Sequence, residues 1–241
     1  MAISDDPAIA EFFNGWEVYR AVIDHDCMEH REVYALVAQI LAERTQPFTV
    51  LDLGCGDSAG IAPVLRGLPL AQYVGVDVAE QALGFAADML AGLDTDLRCR
   101  DLGEQLRDDS QQFDVILLSF ALHHFDSTAK REVLAQARER LTPGGQVILI
   151  DVVRADGETR DEYLARFEPY VATWPIGRDM QGRVLEHVRR NDWPEEVTRM
   201  AALARSAGFG DVTQFYAGGQ DTQAGCAGGL RRTAIAKGVS W

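Results

Sequence analysis

The sequence predicts an α/β fold around a mostly parallel sheet, and three observations support this prediction. Residues 48–60 form an apolar run that ends in a glycine-rich turn, which is typical of a buried parallel strand. Strand-like apolar runs and helical patterns then alternate as far as residue 151. Two more strand-like runs, at 211–216 and 230–237, end the chain as a hairpin. Together these features indicate a Rossmann-like sheet with a crevice at the first turn.

The composition limits the classes of partner. A chain of 241 residues that is 47% hydrophobic is long enough for one α/β domain with a sizeable core. The formal charge of −14 would repel a phosphate backbone, so we expect a small-molecule substrate and neither nucleic acid nor membrane as a partner. A monomer or a homodimer is expected.

The cysteines indicate a reduced, cytoplasmic protein. Their wide spacing contains no C-x-x-C pair and no His/Cys cluster of metal-site type, so we expect no metal. The sequence also lacks a signal peptide and an apolar run of membrane-spanning length. The four cysteines are Cys27, Cys55, Cys99 and Cys226.

The glycine-rich turn predicts a ligand site. Gly54 and Gly56 allow a sharp turn and a close approach of a ligand to the backbone. A helix expected from about Ala59 would point its N-terminal amides at that ligand. Gly54, Gly56 and Ala59 also fit the dinucleotide pattern G-x-G-x-x-[GA], with Asp77 at a suitable distance for a ribose. The spacing alone therefore leaves two cofactor classes open.

A longer string favours one of these classes. The run Val50-Leu-Asp-Leu-Gly-Cys-Gly56 resembles the first motif of class I S-adenosylmethionine (SAM) methyltransferases, in which Asp52 would be the usual acid. Ser58 stands where that family often has a third glycine. The resemblance implies SAM as cofactor. It also implies a three-layer sandwich with a seven-stranded, mostly parallel sheet and a reversed C-terminal strand.

The same resemblance assigns further cofactor contacts. Asp77 ends the second predicted strand, where its carboxylate can accept both ribose hydroxyls, unless it only caps the next helix. Asp101 ends the third predicted strand, 96–102, at the family position that contacts the adenine amino group, unless it is a surface-turn acid. The implied cofactor residues are Asp52, Gly54, Cys55, Gly56, Asp77, Val78, Asp101, Leu102, Ser119 and Phe120.

Two adjacent histidines follow the fourth predicted strand, 113–120. The stretch resembles the fourth-strand region of small-molecule methyltransferases, where the strand end meets the methyl donor. His123 or His124 could act as a general base or orient the acceptor, because an imidazole titrates near neutral pH. Neighbouring helical positions face different ways, so one of the two is expected to be structural. A Pro-Gly-Gly turn and fifth strand at 141–151 also resemble the methyltransferase pattern.

The rest of the chain is expected to surround this core within a single domain. Helical patterns at 8–24 and 33–44 precede the first strand, and Asp192 is predicted to cap a helix that runs to Ala207. The predicted parts are an N-terminal helical cap (1–44), the SAM-binding core (45–151), a lid inserted after the fifth strand (152–193), and a helix with the closing hairpin (194–241).

The acceptor contacts are expected in the cap and the lid. His30 falls on the apolar face of its helix, where it is either a core residue or a ligand contact. The lid aromatics either line a pocket or form the lid's own core. The entry segment is similar to the region that enters the methyltransferase domain of ovothiol biosynthesis enzymes, through Tyr19, Asp24, Met28, His30, Glu32 and Tyr34. The predicted substrate residues are Tyr19, His30, Tyr163, Tyr170 and Trp174.

Three functions remain open at this level. The favoured one is SAM-dependent methyl transfer to N, S or O of a small polar metabolite, possibly derived from an amino acid. A non-catalytic SAM-binding regulatory or scaffolding protein would retain the same cofactor acids. An NAD(P)-dependent reductase would use Gly54, Gly56 and Ala59 as a dinucleotide fingerprint.

Overall fold

The structure is a computed structural model that describes residues 16–218 and the backbone of 231–238. Half of the predicted helix at 8–24, most of the glycine-rich stretch after residue 217 and Cys226 therefore lie outside the described residues. Within the described part, no helix combines the length and the apolar character needed to cross a bilayer.

Nine helices and eight strands are present in the described residues. The helices are α1 (Trp16–Asp24), α2 (His30–Ala42), α3 (Ala62–Leu65), α4 (Glu80–Met89), α5 (Leu102–Asp108), α6 (Ser127–Glu139), α7 (Arg160–Val171), α8 (Arg178–Asn191) and α9 (Val197–Ser206). The strands are β1 (Phe48–Leu53), β2 (Leu70–Asp77), β3 (Thr95–Cys99), β4 (Phe113–Ser119), β5 (Leu141–Arg154), β6 (Glu195–Glu196), β7 (Thr213–Gly218) and β8 (Arg231–Gly238). A short 3₁₀ helix spans Leu122–His124.

The strands form one sheet in the order β3-β2-β1-β4-β5-β8-β7, with β6 paired to β5 off this path. The first five strands are parallel to one another, and β8 runs antiparallel to both β5 and β7. The mostly parallel sheet is confirmed, as is the reversed strand beside the fifth. The predicted count of seven strands differs by one, because Glu195–Glu196 add a short parallel strand.

Helices cover both faces of the sheet. Alternate strand residues point to opposite faces, so Val50 packs into one core and Leu51 into the other. The first core includes buried residues of α1, α2, α3, α4, α7 and α8, and the second those of α5, α6 and α9. The parts predicted as cap and lid therefore lie over the same face of the sheet.

The segment after α8 differs from its prediction. Asp192 does not cap a helix, because Glu195 and Glu196 pair with the end of β5 and helix α9 begins only at Val197. The buried ammonium of Lys130 donates to the backbone oxygen of Trp193 and lies 3.9 Å from Glu195 Oε1. These contacts hold the segment extended, so Asp192 is available for another role.

The helix after the glycine turn is also shorter than predicted. Helix α3 is a single turn, Ala62–Leu65, because Arg66 is extended and Gly67 has φ +88°. The third strand ends at Cys99 and not at residue 102, since Leu102 already begins α5.

We expect Gly54→Ala to destabilise the fold more than Gly67→Ala. Both glycines have φ near +80°, at +78° and +88°, which costs an alanine about 1–2 kcal/mol. A Cβ on Gly54 would also lie 2.9 Å from Ala121 Cβ, whereas one on Gly67 meets no atom within 4 Å. Urea unfolding should show about 1 kcal/mol of additional loss for Gly54→Ala. Equal losses would contradict this crowding.

Candidate functional site

A cavity opens where the carboxyl ends of β1, β2 and β4 meet. Its walls come from the loops after these strands and from α1. The lining residues are Tyr19, Gly54, Gly56, Val76, Asp77, Val78, Arg100, Leu102, Ser119, Phe120, Ala121, His124 and Phe125. Crevices of this kind are the usual ligand sites of parallel α/β sheets. We call this the first cavity.

Asp77 holds the glycine turn against the second strand. Its Oδ2 accepts a hydrogen bond from the Gly56 amide at 2.9 Å, and its Oδ1 accepts one from the Ala79 amide at 2.8 Å. Burial raises the pKa of this carboxyl, and the hydrogen bonds from backbone amides oppose that rise. Each carboxylate oxygen has a further lone pair, so Asp77 can shape the turn and also accept ligand hydroxyls.

Asp52 lies beneath the turn and does not line the first cavity. Its Oδ2 accepts a hydrogen bond from the Tyr73 hydroxyl at 2.8 Å, and that hydroxyl lies 3.0 Å from Ser58 Oγ. Burial raises the pKa of Asp52 to about 7. Cys55 is also buried outside the lining, and burial raises the pKa of its thiol. These two predicted cofactor residues support the turn from behind.

Asp101 caps a helix and is also absent from the cavity wall. Its Oδ1 accepts hydrogen bonds from the amides of Gly103 and Glu104 at 2.9 and 3.0 Å, at the N-terminus of α5. Its neighbours Arg100 and Leu102 line the first cavity instead. The resemblance placed Asp101 at the adenine amino group, whereas here the carboxylate is bound to the helix end.

The end of β4 has a constrained backbone. Phe120 has φ +52°, which is uncommon for a bulky residue, and its amide donates to Ile150 O at 2.8 Å. The Tyr34 hydroxyl donates to Ser119 Oγ at 2.9 Å. The Phe120 ring lies 4.8 Å from the His30 ring, centroid to centroid. The strand end is thereby fixed between α2 and the sheet.

A second cavity adjoins the first. Tyr19, Phe120 and His124 line both cavities, so the two meet at these side chains. The other lining residues are mostly apolar or aromatic, and they come from α1, α2, the lid helices, β5, the 3₁₀ helix and adjoining loops. They are Val22, Met28, His30, His123, Val152, Tyr163, Phe167, Trp174, Val184, His187, Val188 and Asp192.

Four of the five predicted substrate residues line this second cavity. Tyr19, His30, Tyr163 and Trp174 are among them, although Tyr163 and Trp174 also belong to the apolar core. Tyr170 is not in the lining. Its ring packs on Trp174 with centroids 5.7 Å apart, and its hydroxyl donates to Cys27 O at 3.2 Å. Tyr170 therefore supports the wall from outside.

The paired histidines face two buried carboxylates. His123 Nδ1 lies 2.6 Å from Asp151 Oδ1, and the two rings, His123 and His124, have centroids 4.0 Å apart. Burial would lower the pKa of His123, but Asp192 and Asp151 outweigh it and raise that pKa. Burial and the neighbouring His123 lower the pKa of His124. At neutral pH, His124 thus keeps an unprotonated nitrogen.

Two residues of this cluster come from a distant part of the chain. Asp192 Oδ1 lies 3.4 Å from His124 Nδ1 and 3.7 Å from His187 Nε2. Burial lowers the pKa of His187 to about 3. Burial opposes ionisation of Asp192, but the imidazoles of His123 and His124 more than offset it and lower the pKa of Asp192.

The sequence did not predict this cluster. The expectation of no metal followed from spacing along the chain, whereas tertiary contacts bring possible ligand atoms of His123, His124 and Asp192 within 4.8 Å of one another. Asp192 was assigned to a helix cap. In the sequence, the adjacent histidines and an acid, Asp151, at the end of the predicted fifth strand were the local hints of this cluster.

Comparison with known proteins points to methyltransferases. Residues 51–147 match a family model described as a methyltransferase domain. The chain is 30% identical over 128 residues to the mRNA cap guanine-N(7) methyltransferase of Schizosaccharomyces pombe, covering 46% of this chain and 33% of that protein. It is 28% identical over 130 residues to the phenazine O-methyltransferase of Lysobacter antibioticus, covering 53% and 35%. The chain thus spans about a third of the length of these two relatives.

Solved structures share the fold. Magnesium protoporphyrin IX methyltransferase from Synechocystis, crystallised with bound S-adenosylhomocysteine (SAH), superposes with a TM-score of 0.64 at 14% identity, covering 98% of this chain and 100% of that chain. An O-methyltransferase described as putative, from Nostoc punctiforme, gives a TM-score of 0.57 at 20% identity, covering 86% and 56%.

We expect Asp52 to make the fold less stable as the pH rises from 5 to 8. Its pKa of about 7 exceeds the ordinary value, so the folded state retains a proton that the unfolded chain has lost. Stability therefore falls as the pH rises through this window, by up to about 3 kcal/mol.

Asp52→Asn has no proton to lose and should flatten that fall in urea unfolding. Asp94→Asn alters an exposed carboxyl and serves as the control. A pH dependence in Asp52→Asn as steep as that of the wild type would contradict the assignment.

Proposed function

We propose that the protein transfers the methyl group of SAM to a small organic molecule, since residues 51–147 match a family model described as a methyltransferase domain. The observation that carries the proposal is the junction of two cavities at Tyr19, Phe120 and His124. The first cavity lies at the glycine turn, and we propose that it holds SAM. We propose that the second cavity, which meets the first, receives the acceptor.

The first cavity suits the charge of SAM. SAM carries a sulfonium cation and an ammonium group, and Asp77 with the buried Asp57 supplies negative charge near the glycine turn. Burial raises the pKa of both carboxyls, so a cationic ligand would restore their ionised form. Asp77 is the proposed ribose ligand, and Ser119 and Phe120, which line the same cavity, are the proposed contacts of the methyl donor.

The reaction needs alignment more than acid–base chemistry. A lone pair of the acceptor forms a bond to the methyl carbon while the carbon–sulfur bond breaks, and its electron pair remains on sulfur to give SAH. The protein has to hold nucleophile, methyl and sulfur in line and away from water. His124 lines both cavities, so we propose that it orients the acceptor or accepts the proton of its nucleophilic group.

The second cavity fits a small acceptor with an apolar or aromatic body. Phe167 and Trp174 supply flat apolar walls, and Tyr19 and His30 supply polar groups that can select an orientation. The phenazine O-methyltransferase relative supports an aromatic acceptor, and the similarity of the entry segment supports an imidazole thiol. The charge of −14 argues against RNA, despite the cap methyltransferase relative. A cytoplasmic monomer or homodimer is part of this proposal.

We expect calorimetric titration to show micromolar binding of SAH and no binding of reduced NAD. Asp77→Ala should weaken SAH at least about tenfold, because it removes the proposed ribose contact and the bond that holds the Gly56 amide. Asp77→Asn keeps one acceptor oxygen for the backbone, so its affinity for SAH should lie between those of the wild type and Asp77→Ala. Binding of reduced NAD in place of SAH would contradict the proposal and favour the dinucleotide interpretation of Gly54, Gly56 and Ala59.

We expect His124→Gln to lower the turnover number by about 10²- to 10⁴-fold while SAH binding stays within a few fold. Turnover is measured as SAH formed with the best acceptor from a panel of phenols, thiols, imidazole thiols and amino acids. The control, His25→Gln, alters an exposed histidine outside both cavities. SAH binding with no turnover on any acceptor would favour a non-catalytic SAM-binding protein.

A further inference from the structure

A single carboxylate oxygen is surrounded by three imidazoles at the wall of the second cavity. Asp192 Oδ1 lies 3.4 Å from His124 Nδ1, 3.7 Å from His187 Nε2 and 3.9 Å from His123 Nε2. Hydrogen bonds from N–H to oxygen are usually 2.7–3.2 Å, roughly half an ångström shorter. Asp192 Oδ1 is also a buried atom without a hydrogen-bond partner among the described residues. This oxygen thus lies near three imidazoles at distances longer than those of most N–H to oxygen hydrogen bonds.

The spacing matches that of donor atoms around a metal ion. With bonds of about 2.0–2.1 Å, neighbouring ligand atoms of a tetrahedral zinc ion lie about 3.4 Å apart. The distances from Asp192 Oδ1 to the three nitrogens are equal to this value or slightly longer. The ligand atoms of His123, His124 and Asp192 all lie within 4.8 Å of one another, which is close enough for them to share one ion.

We propose that His123, His124 and Asp192, with His187 as the fourth donor, bind one divalent transition-metal ion. Imidazole nitrogen and carboxylate oxygen are the donors that suit zinc, cobalt and iron(II). All four side chains line the same cavity, so the ion faces the acceptor chamber.

A second layer of contacts orients the ligands. Asp151, which is fully buried, accepts a hydrogen bond at 2.6 Å from His123 Nδ1, and this leaves the lone pair of His123 Nε2 for the metal. Metal-bound histidines in proteins usually have such a carboxylate partner. Asn191 Nδ2 lies 3.0 Å from His187 Nδ1, a contact that holds the orientation of the His187 ring.

Hydrogen bonds to the backbone also hold the segment that carries Asp192. The Trp193 amide donates to His123 O at 2.6 Å, and Arg160 Nε donates to Asp192 O at 2.8 Å. Arg160 also lies over the Trp193 ring, 4.4 Å from its centroid. The segment that carries Asp192 is thus tied to the one that carries the paired histidines. The ligand set does not depend on a mobile loop tip.

Charge balance supports a dication. Asp151 and Asp192 place two carboxylates in a buried region, where unpaired charge is costly. A divalent ion there would offset both charges in place of a proton on His123. The ordered, apolar walls from Phe167 and Trp174 would also keep competing water away from the ion.

A metal here would extend the proposed chemistry, and this step rests on the proposed function. A hydroxyl or thiol acceptor that bound the ion would ionise more readily, because the metal would stabilise the anion. Its proton would then pass to solvent and not to His124, whose Nδ1 would be bound to the ion. The acceptor anion would supply the lone pair that forms the bond to the methyl carbon, and SAH would leave. The acceptor class is accordingly one with a metal-binding heteroatom.

The test uses protein without an affinity tag, after dialysis against a chelator. Titration with Co²⁺ is followed by visible absorption, and titration with Zn²⁺ by calorimetry. We expect one equivalent of either metal per chain, with micromolar or tighter affinity and a cobalt spectrum of low-symmetry N/O coordination. Asp192→Asn and His124→Gln should each weaken binding at least about tenfold, and His25→Gln should leave it unchanged.

Binding below one equivalent, or equal affinity in all variants, would overturn the metal site. Circular dichroism and SAH titration of each variant show whether the fold and the first cavity persist. If Asp192→Asn does not fold, the metal affinity of His124→Gln compared with that of the wild type tests the site. Stoichiometric metal binding without SAH binding would support the metal site and contradict the proposed function. SAH binding without metal binding would support the proposed function and contradict the metal site.

Discussion

The pairing of β1 with both β2 and β4 is the constraint on which the site depends. Because the chain turns to opposite sides of β1 for these two partners, the loops after β1 and β4 diverge and leave a crevice between them. Gly54 and Gly56 occupy positive φ on one side of that crevice and Phe120 on the other. Both cavities are therefore consequences of strand order, and their chemistry comes from the side chains at the strand ends.

The carboxylates near these strand ends have two different structural roles. Asp77 and Asp101 accept hydrogen bonds from backbone amides, and these bonds hold the glycine turn at Asp77 and the start of α5 at Asp101. Asp52 is buried behind the turn with Tyr73, and its elevated pKa records the free-energy cost of that position. An acid at the end of a strand is thus not evidence of ligand contact by itself. The surrounding backbone decides whether its oxygens remain available.

The acceptor side of the site depends on contacts between distant segments. Buried Lys130 donates to the Trp193 backbone, and β6 pairs with the end of β5. Removing either contact would leave buried polar groups without partners, which is costly in an apolar interior. These contacts bring Asp192 beside His123 and His124. The lid and the core are in this way joined at the point where the two cavities meet.

The sequence by itself determined the sheet, the glycine turn and most of the first cavity. Hydrophobic periodicity and glycine positions are local properties, and they located Gly54 and the strand that ends at Asp77. Phe120 was assigned through the resemblance to class I methyltransferases. Only the tertiary structure decided that Asp52 and Asp101 lie off the cavity wall and that Asp192 faces three imidazoles. A local pattern made Asp192 look like a helix cap, but pairing of the next two residues with β5 outweighed it. Contacts between residues far apart in the chain leave no periodic signal, so the buried histidine cluster could be recognised only after folding.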